Sequence, residues 1–236
     1  MANSVKKFFI TGATHGIGKA TAELFCQKGW QVFGISLNAE DNRGKEMSER
    51  FPSFCYRRAD VRNEAEISAL LREIGPIDAA FNNAGIGKVQ ENIENESIDG
   101  AREVVETNLF GTLICMKHEL KNMRQGCVVN NASIAAFKSG TGADASYAAA
   151  KAGILRLTAE AAVCPAYLSR ISFFCLAPGY VRTRMTASDK DKASQLLRKE
   201  MRCPEEVARL VYKIVEDREA FTSGQCFNID GGEFLR

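Results

Sequence analysis

Phe8-Phe9-Ile10-Thr11-Gly12-Ala13-Thr14-His15-Gly16-Ile17-Gly18 is the stretch that decides the fold. Its first three residues read as a short apolar strand that breaks at Thr11-Gly12. From Ile17 to Lys28 the periodicity through Ala20, Leu24 and Phe25 is helical. Between them, glycines at 12, 16 and 18 permit a tight turn and let a pyrophosphate approach the helix N-terminus. A glycine-rich loop alone could be a mere connector, and the strand and helix on either side are what make it a nucleotide turn.

Outward from this turn the pattern repeats. Gln31–Ser36, Phe54–Arg58, Ala79–Phe81, Cys127–Ala132, Ile171–Leu176 and Gln225–Ile229 read as further strands. Helices are expected over 42–51, around Ile67 to Ile74, over 98–123 and from Tyr147 to about Leu168, where Pro165 ends or kinks the helix. Asn108 and Gly111 sit in the middle of the third of these, two poor helix formers that ask for a functional or packing reason. Alternating strands and helices argue for an α/β chain with a parallel sheet covered on both faces.

Composition narrows the function. The 236 residues suit one domain, and 45% hydrophobic residues are ample for its core. The 31 basic and 29 acidic residues leave a net charge of +2, so no global field selects nucleic acid or an anionic membrane. Eight cysteines without a Cys-x-x-Cys pair read as core thiols. The apolar run after Met1 is too short for a signal peptide, and no stretch reaches membrane-spanning length. A cytoplasmic protein is expected. Only two histidines, His15 and His118, argue against a metal site or a Ser-His-Asp triad.

The unusual polar and glycine clusters each follow a strand: Gly12, Asp60, Asn82, Ser133 and Pro178. In an open parallel sheet those positions share the rim where ligands bind. Tyr147 and Lys151 open a helix four residues apart, on one face. An ammonium about 4 Å from a phenol contributes roughly 4 kcal/mol at an effective dielectric near 20, favouring the phenolate. Tyr147 is therefore expected to exchange protons near neutral pH.

With Asn82-Asn83-Ala84-Gly85, Asn108, Ser133, Tyr147-x-x-x-Lys151 and Pro178-Gly179 in this order behind a Gly-x-x-x-Gly-x-Gly turn, the chain resembles the short-chain dehydrogenase/reductase family along nearly its whole length. The branch it looks most like is that of the 3-oxoacyl carrier-protein reductases. The resemblance implies a single-domain Rossmann fold, a doubly wound seven-stranded parallel sheet, with a small substrate lid around 182–203. It implies hydride transfer between a nicotinamide cofactor and a carbonyl or secondary alcohol. Ser133 would hydrogen-bond the carbonyl oxygen and Tyr147 would exchange its proton. Lys151 would lower the tyrosine pKa and hold the ribose, and Asn108 would position a proton-refilling water. The cofactor would meet Gly12, Thr14, His15, Gly16, Ile17 and Gly18 in the turn, with Ser36 and Leu37 after the second strand. Asp60 and Val61 would bracket the adenine, Asn82, Ala84 and Gly85 would floor the cofactor, and Pro178, Gly179, Val181 and Thr183 would meet the nicotinamide side together with Tyr147 and Lys151.

One departure bears on cofactor choice. The acid that ends the second strand in NAD-preferring relatives is replaced by Ser36, with Leu37 after it. This favours NADP(H) and leaves NAD(H) possible, with Asn38 and Arg43 near enough in sequence to assist and Glu40 and Asp41 opposing. A sugar-nucleotide epimerase would need another glycine spacing and a longer chain. A catalytically silent nucleotide sensor would have no need for the Asn108, Ser133, Tyr147 and Lys151 set. The expected substrate is a small carbonyl or alcohol compound, possibly carrier-bound, with Arg124 and Arg170 available near the rim. Apolar residues on more than one face of the two long helices suggest a homo-oligomer, a tetramer or dimer.

Overall fold

The computed structural model describes residues 5–37, 42–87, 92–139, 141, 143–186 and 201–232. Seven parallel strands run in the order β3-β2-β1-β4-β5-β6-β7: β1 (Lys7–Thr11), β2 (Gln31–Ser36), β3 (Phe54–Arg58), β4 (Ala79–Asn82), β5 (Gly126–Asn131), β6 (Ile171–Pro178) and β7 (Cys226–Ile229). The order reverses at β1 and β4, which places the crevice for a ligand over their carboxyl ends.

Helices cover both faces because neighbouring strand residues point to opposite sides and both sides are apolar. Phe8, Phe81 and Phe174 face α1 (Gly16–Gln27), while Phe9, Ala80 and Phe173 face α3 (Glu64–Ile74) and its neighbours. Phe8 stacks on Phe25 of α1 with ring centroids 3.7 Å apart. α2 (Arg43–Arg50) packs beside β3.

The expected helix over 98–123 is three pieces: α4 (Ile98–Val105), a π turn (Glu106–Phe110) and α5 (Gly111–Asn122). The wide turn carries Asn108, fully buried, and Gly111 follows because Val61 fills the space a side chain would need. A Cβ at Gly111 would lie 2.6 Å from Val61 Cγ2. α6 (Ala145–Val163) carries Tyr147 and stops short of Leu168, since the residue before Pro165 is pushed to extended backbone (Cys164 ψ 122°).

A further helix, α7 (Pro204–Glu216), is not among the expected elements, although its signals were present. Pro204 opens it, Glu206 accepts from the Cys203 backbone N–H at 2.8 Å, and Val207, Val211, Ile214 and Val215 are buried against α1. Most of the segment expected to form a lid, residues 187–200, lies outside the described residues, as do Asn38, Glu40 and Asp41. No helix among the described residues is long and apolar enough to cross a membrane.

Candidate active site

A cleft of about 630 Å³ opens over the carboxyl ends of the strands. Its floor is the glycine turn. Gly12 has φ 66°, and a Cβ there would stand 2.9 Å from Asn83 Nδ2; a Cβ on Gly18 would stand 2.1 Å from the Gly12 carbonyl oxygen. The turn is held flat from the neighbouring strand. Asn83 Nδ2 donates to the Thr11 carbonyl at 3.1 Å, and the Asn83 and Ala84 N–H groups donate to Thr11 Oγ1 at 3.0 and 2.9 Å. α1 then begins at Gly16 without a side-chain cap from His15, which leaves its first N–H groups suited to a pyrophosphate. A Cβ on Gly16 would meet Thr183 Cγ2 at 2.9 Å, so Thr183 closes the turn from above.

At the outer end, Thr14 Oγ1 lies 2.9 Å from His15 Nδ1 and donates to Ser36 Oγ at 3.2 Å, and Ser36 Oγ lies 3.0 Å from the Tyr56 hydroxyl. Leu37 is 44% exposed. Arg58 stands opposite Ser36 in the β2–β3 register and donates from Nε to the Leu37 carbonyl at 3.1 Å. This cation beside position 37 is invisible in the sequence, because only strand register brings residue 58 there. Asp60 and Val61 line the next part of the wall. Arg62 hydrogen-bonds Asp60 at 2.7 Å and holds its carboxyl below the usual range.

At the inner end, four elements meet. Lys151, 4% exposed, donates from Nζ to the Asn131 carbonyl at 2.7 Å and lies 5.6 Å from the Tyr147 ring centroid. Ser133, just past β5, accepts from Ala135 N–H at 3.2 Å and lines the same cleft wall as the Tyr147 phenol. Asn108 locks the loop after β4: its Oδ1 accepts from Ile86 N–H at 2.8 Å and its Nδ2 donates to the Ile86 carbonyl at 2.9 Å. A Cβ on Gly85 would stand 3.0 Å from Asn108 Oδ1 and 3.6 Å from Lys151 Nζ, so the bare glycine lets these groups close together.

Burial pushes the Tyr147 phenol up, with the Ser133 side chain pulling the other way. The expected depression by Lys151 is not the governing effect here. The lysine is itself so desolvated that its pKa falls to about 8.

Ile17, Ala84, Pro178, Gly179 and Val181 also line the cleft. Gly18, Asn82 and Asn108 stand behind it. Asn82 is a correction: its Nδ2 points into a buried polar cluster, donating to Glu119 Oε2 at 3.1 Å and Asn130 Oδ1 at 3.0 Å. Its neighbours Asn83 and Ala84 reach the cleft instead, since successive strand residues face opposite ways. Asn131 was missed because it contributes a backbone carbonyl, which leaves no residue-type signal. Arg124 and Arg170 are a second correction. They precede β5 and β6, at the opposite rim from the cleft, where Arg170 Nη1 donates to the Met123 carbonyl at 2.9 Å.

Residues 12–233 match the family model described as enoyl-(acyl carrier protein) reductase. The chain belongs to the short-chain dehydrogenase/reductase family. It is 32% identical to cis-4-hydroxycyclohexanecarboxylate dehydrogenase of Sinomonas cyclohexanicum, over 94% of each chain. It is 29% identical to the 3-oxoacyl-[acyl-carrier-protein] reductase of Chlamydia muridarum, over 96% of each. The crystal structure of levodione reductase superposes with a TM-score of 0.87 at 29% identity, covering 98% of both chains. As a member of this family the chain is an NAD(P)(H)-dependent oxidoreductase acting between carbonyls and alcohols.

Proposed function

We propose that this short-chain reductase converts a ketone, a cyclic ketone or a 3-oxoacyl group, to its secondary alcohol with NADPH favoured over NADH. The observation that carries this reading is that Ser133, Tyr147 and Lys151 share the cleft wall, with the Lys151 ammonium 5.6 Å from the phenol ring centroid. When bound, the nicotinamide supplies the hydride to the carbonyl carbon. Ser133 donates to the carbonyl oxygen as negative charge develops there, and Tyr147 delivers the proton. Lys151, charged below about pH 8, steadies the phenolate that remains and holds the ribose. Asn108 fixes the backbone at Ile86 and, through the open π turn, keeps room for a water that returns the proton.

The glycine turn and α1 hold the pyrophosphate, Asp60 and Val61 flank the adenine, and Pro178 to Thr183 border the nicotinamide. NADPH is favoured because no carboxylate ends β2 to repel a 2′-phosphate, while Ser36, His15 and Arg58 stand around that position. Lys19, Arg43, Arg182 and Arg184 line a second cavity of about 510 Å³ beside the glycine turn and add to the positive potential.

The substrate enters over Ile86, Gly87 and Met185, with the segment around 182–203 as its cover. Ring-shaped and carrier-bound substrates both occur among the named relatives. With Arg124 and Arg170 on the far rim, a free ketone is the better first candidate. Exposed apolar residues along α4 to α6, among them Ile98, Phe110, Leu113 and Val163, support a homo-oligomer, a tetramer or a dimer. Eight free cysteines support a reducing, cytoplasmic setting. The test is NADPH absorbance with a panel of cyclic ketones and 3-oxoacyl thioesters. Turnover with either class is expected, and cofactor binding without any turnover would overturn the reading.

A further inference from the structure

Behind the catalytic lysine lies a pair of thiols that the reductase chemistry does not use. Cys175 and Cys226 are direct partners in the β6–β7 register. Opposed residues of neighbouring strands point to the same face, and their backbones are about 4.8 Å apart. That falls inside the roughly 4.4–6.8 Å that a disulfide spans between Cα atoms. Both sulfurs sit in one small cluster with Ala132, Ile154 and Leu155, the last two from the helix of Tyr147 and Lys151. Cys175 is buried, whereas Cys226 lies half-buried on the edge strand.

Polar groups converge on Cys175. Cys226 faces it across the strand register, and Thr158 Oγ1 lies 3.4 Å from its sulfur. With Lys151 near enough to be felt, these push the Cys175 thiol down, Cys226 first, while the same pairing pushes Cys226 up. Thiolate character therefore collects on the inner sulfur, and solvent contact belongs to the outer one. By contrast, burial is the main cause that pushes the Cys127 thiol up to about 12.

We propose that Cys175 and Cys226 form a two-electron redox site, a dithiol that a hydroperoxide converts to a disulfide, and that this oxidation slows turnover by removing the thiol partner beside Lys151. Peroxide oxygen transfers to the Cys226 sulfur, the one solvent reaches, as the Cys226 proton passes to the departing hydroxide, giving a sulfenic acid and one water. The Cys175 sulfur attacks the Cys226 sulfur, so the S–S bond forms and the S–O bond breaks. Hydroxide leaves with the proton from Cys175 as the second water. Two thiols are oxidised and one peroxide is reduced. An added dithiol reverses the step by exchange. The link to turnover rests on the role proposed for Lys151, whereas the disulfide itself does not.

The experiment exposes the intact protein to hydrogen peroxide, alkylates it under denaturing conditions and maps its peptides by mass. A peptide pair joined through Cys175 and Cys226 is expected, with Cys115 and Cys127 alkylated. Peroxide that leaves both cysteines alkylated, or that oxidises them separately to sulfinic acids, overturns the redox site whatever the protein reduces. With an accepted ketone, NADPH turnover is expected to fall several-fold on oxidation and to return with dithiothreitol. Cys226→Ala and Cys226→Ser should turn over normally and resist peroxide. A joined pair with unchanged turnover and an unchanged pH profile overturns the coupling to Lys151.

Discussion

The two ends of the cleft are built differently. At the inner end, Asn108 comes from the π turn, Ser133 from the loop after β5, and Tyr147 and Lys151 from α6, and Asn108 and Lys151 are almost wholly buried. Asn108, Ser133 and Lys151 are each tied to backbone at hydrogen-bond distance. At the outer end, Leu37 and Arg58 are exposed and His15 and Ser36 half-buried, joined through hydroxyls and one carbonyl. The inner end must hold reacting atoms in one geometry, so its groups are desolvated and locked. On the proposed reading the outer end only has to recognise one face of a ribose, and its side chains can change without disturbing the sheet.

This contrast predicts that substitutions inside cost much and those outside little. Tyr147→Phe keeps the ring and removes the proton donor, so kcat should fall by about 100- to 10,000-fold with cofactor affinity unchanged. Near-normal steady-state turnover would break the comparison at its strongest point. Ser133→Ala should cost on the order of 3 kcal/mol in kcat/KM, roughly a hundredfold, by loss of a donor to the developing alkoxide.

Beneath the inner end the structure stakes stability on a proton. Glu119 is fully buried with Asn82 as its hydrogen-bond donor, and burial raises its pKa from 4.5 to about 8. The folded state therefore holds a proton that the unfolded chain has lost above pH 4.5. This contribution is complete below that pH and disappears as pH rises through about 8. Denaturant midpoints should fall between pH 5 and 9, by on the order of 2 kcal/mol after relaxation around the buried charge. Glu119→Gln should flatten that slope, and a slope shared by the variant would assign the loss elsewhere.

The outer end should answer with the smallest changes. Ser36→Asp should lower the NADPH-to-NADH ratio of kcat/KM by about tenfold, near 1.4 kcal/mol, leaving kcat intact. Arg58→Ala should weaken NADPH a few-fold and NADH hardly at all, as steady-state KM values would show. Equal loss for both cofactors would mean that Arg58 supports the Leu37 backbone and does not read the phosphate.

What the sequence by itself determined is whatever depends on local order along the chain. The glycine spacing at 12, 16 and 18, the apolar strands, the helical placement of Tyr147 and Lys151, and their sequence of motifs were legible because each needs only near neighbours. The helix α7 was legible too, through Pro204 and its valine spacing. Only the tertiary structure decided the rest. Register put Arg58 beside Leu37 and Cys226 beside Cys175, and strand alternation turned Asn82 away while Asn83 faced the cleft. Strand direction carried Arg124 and Arg170 to the far rim. Packing explained Gly111, whose missing side chain is filled by Val61, fifty residues away in sequence. Burial set the protonation of Glu119 and Lys151, because a charge's cost depends on how much water the whole fold removes from around it.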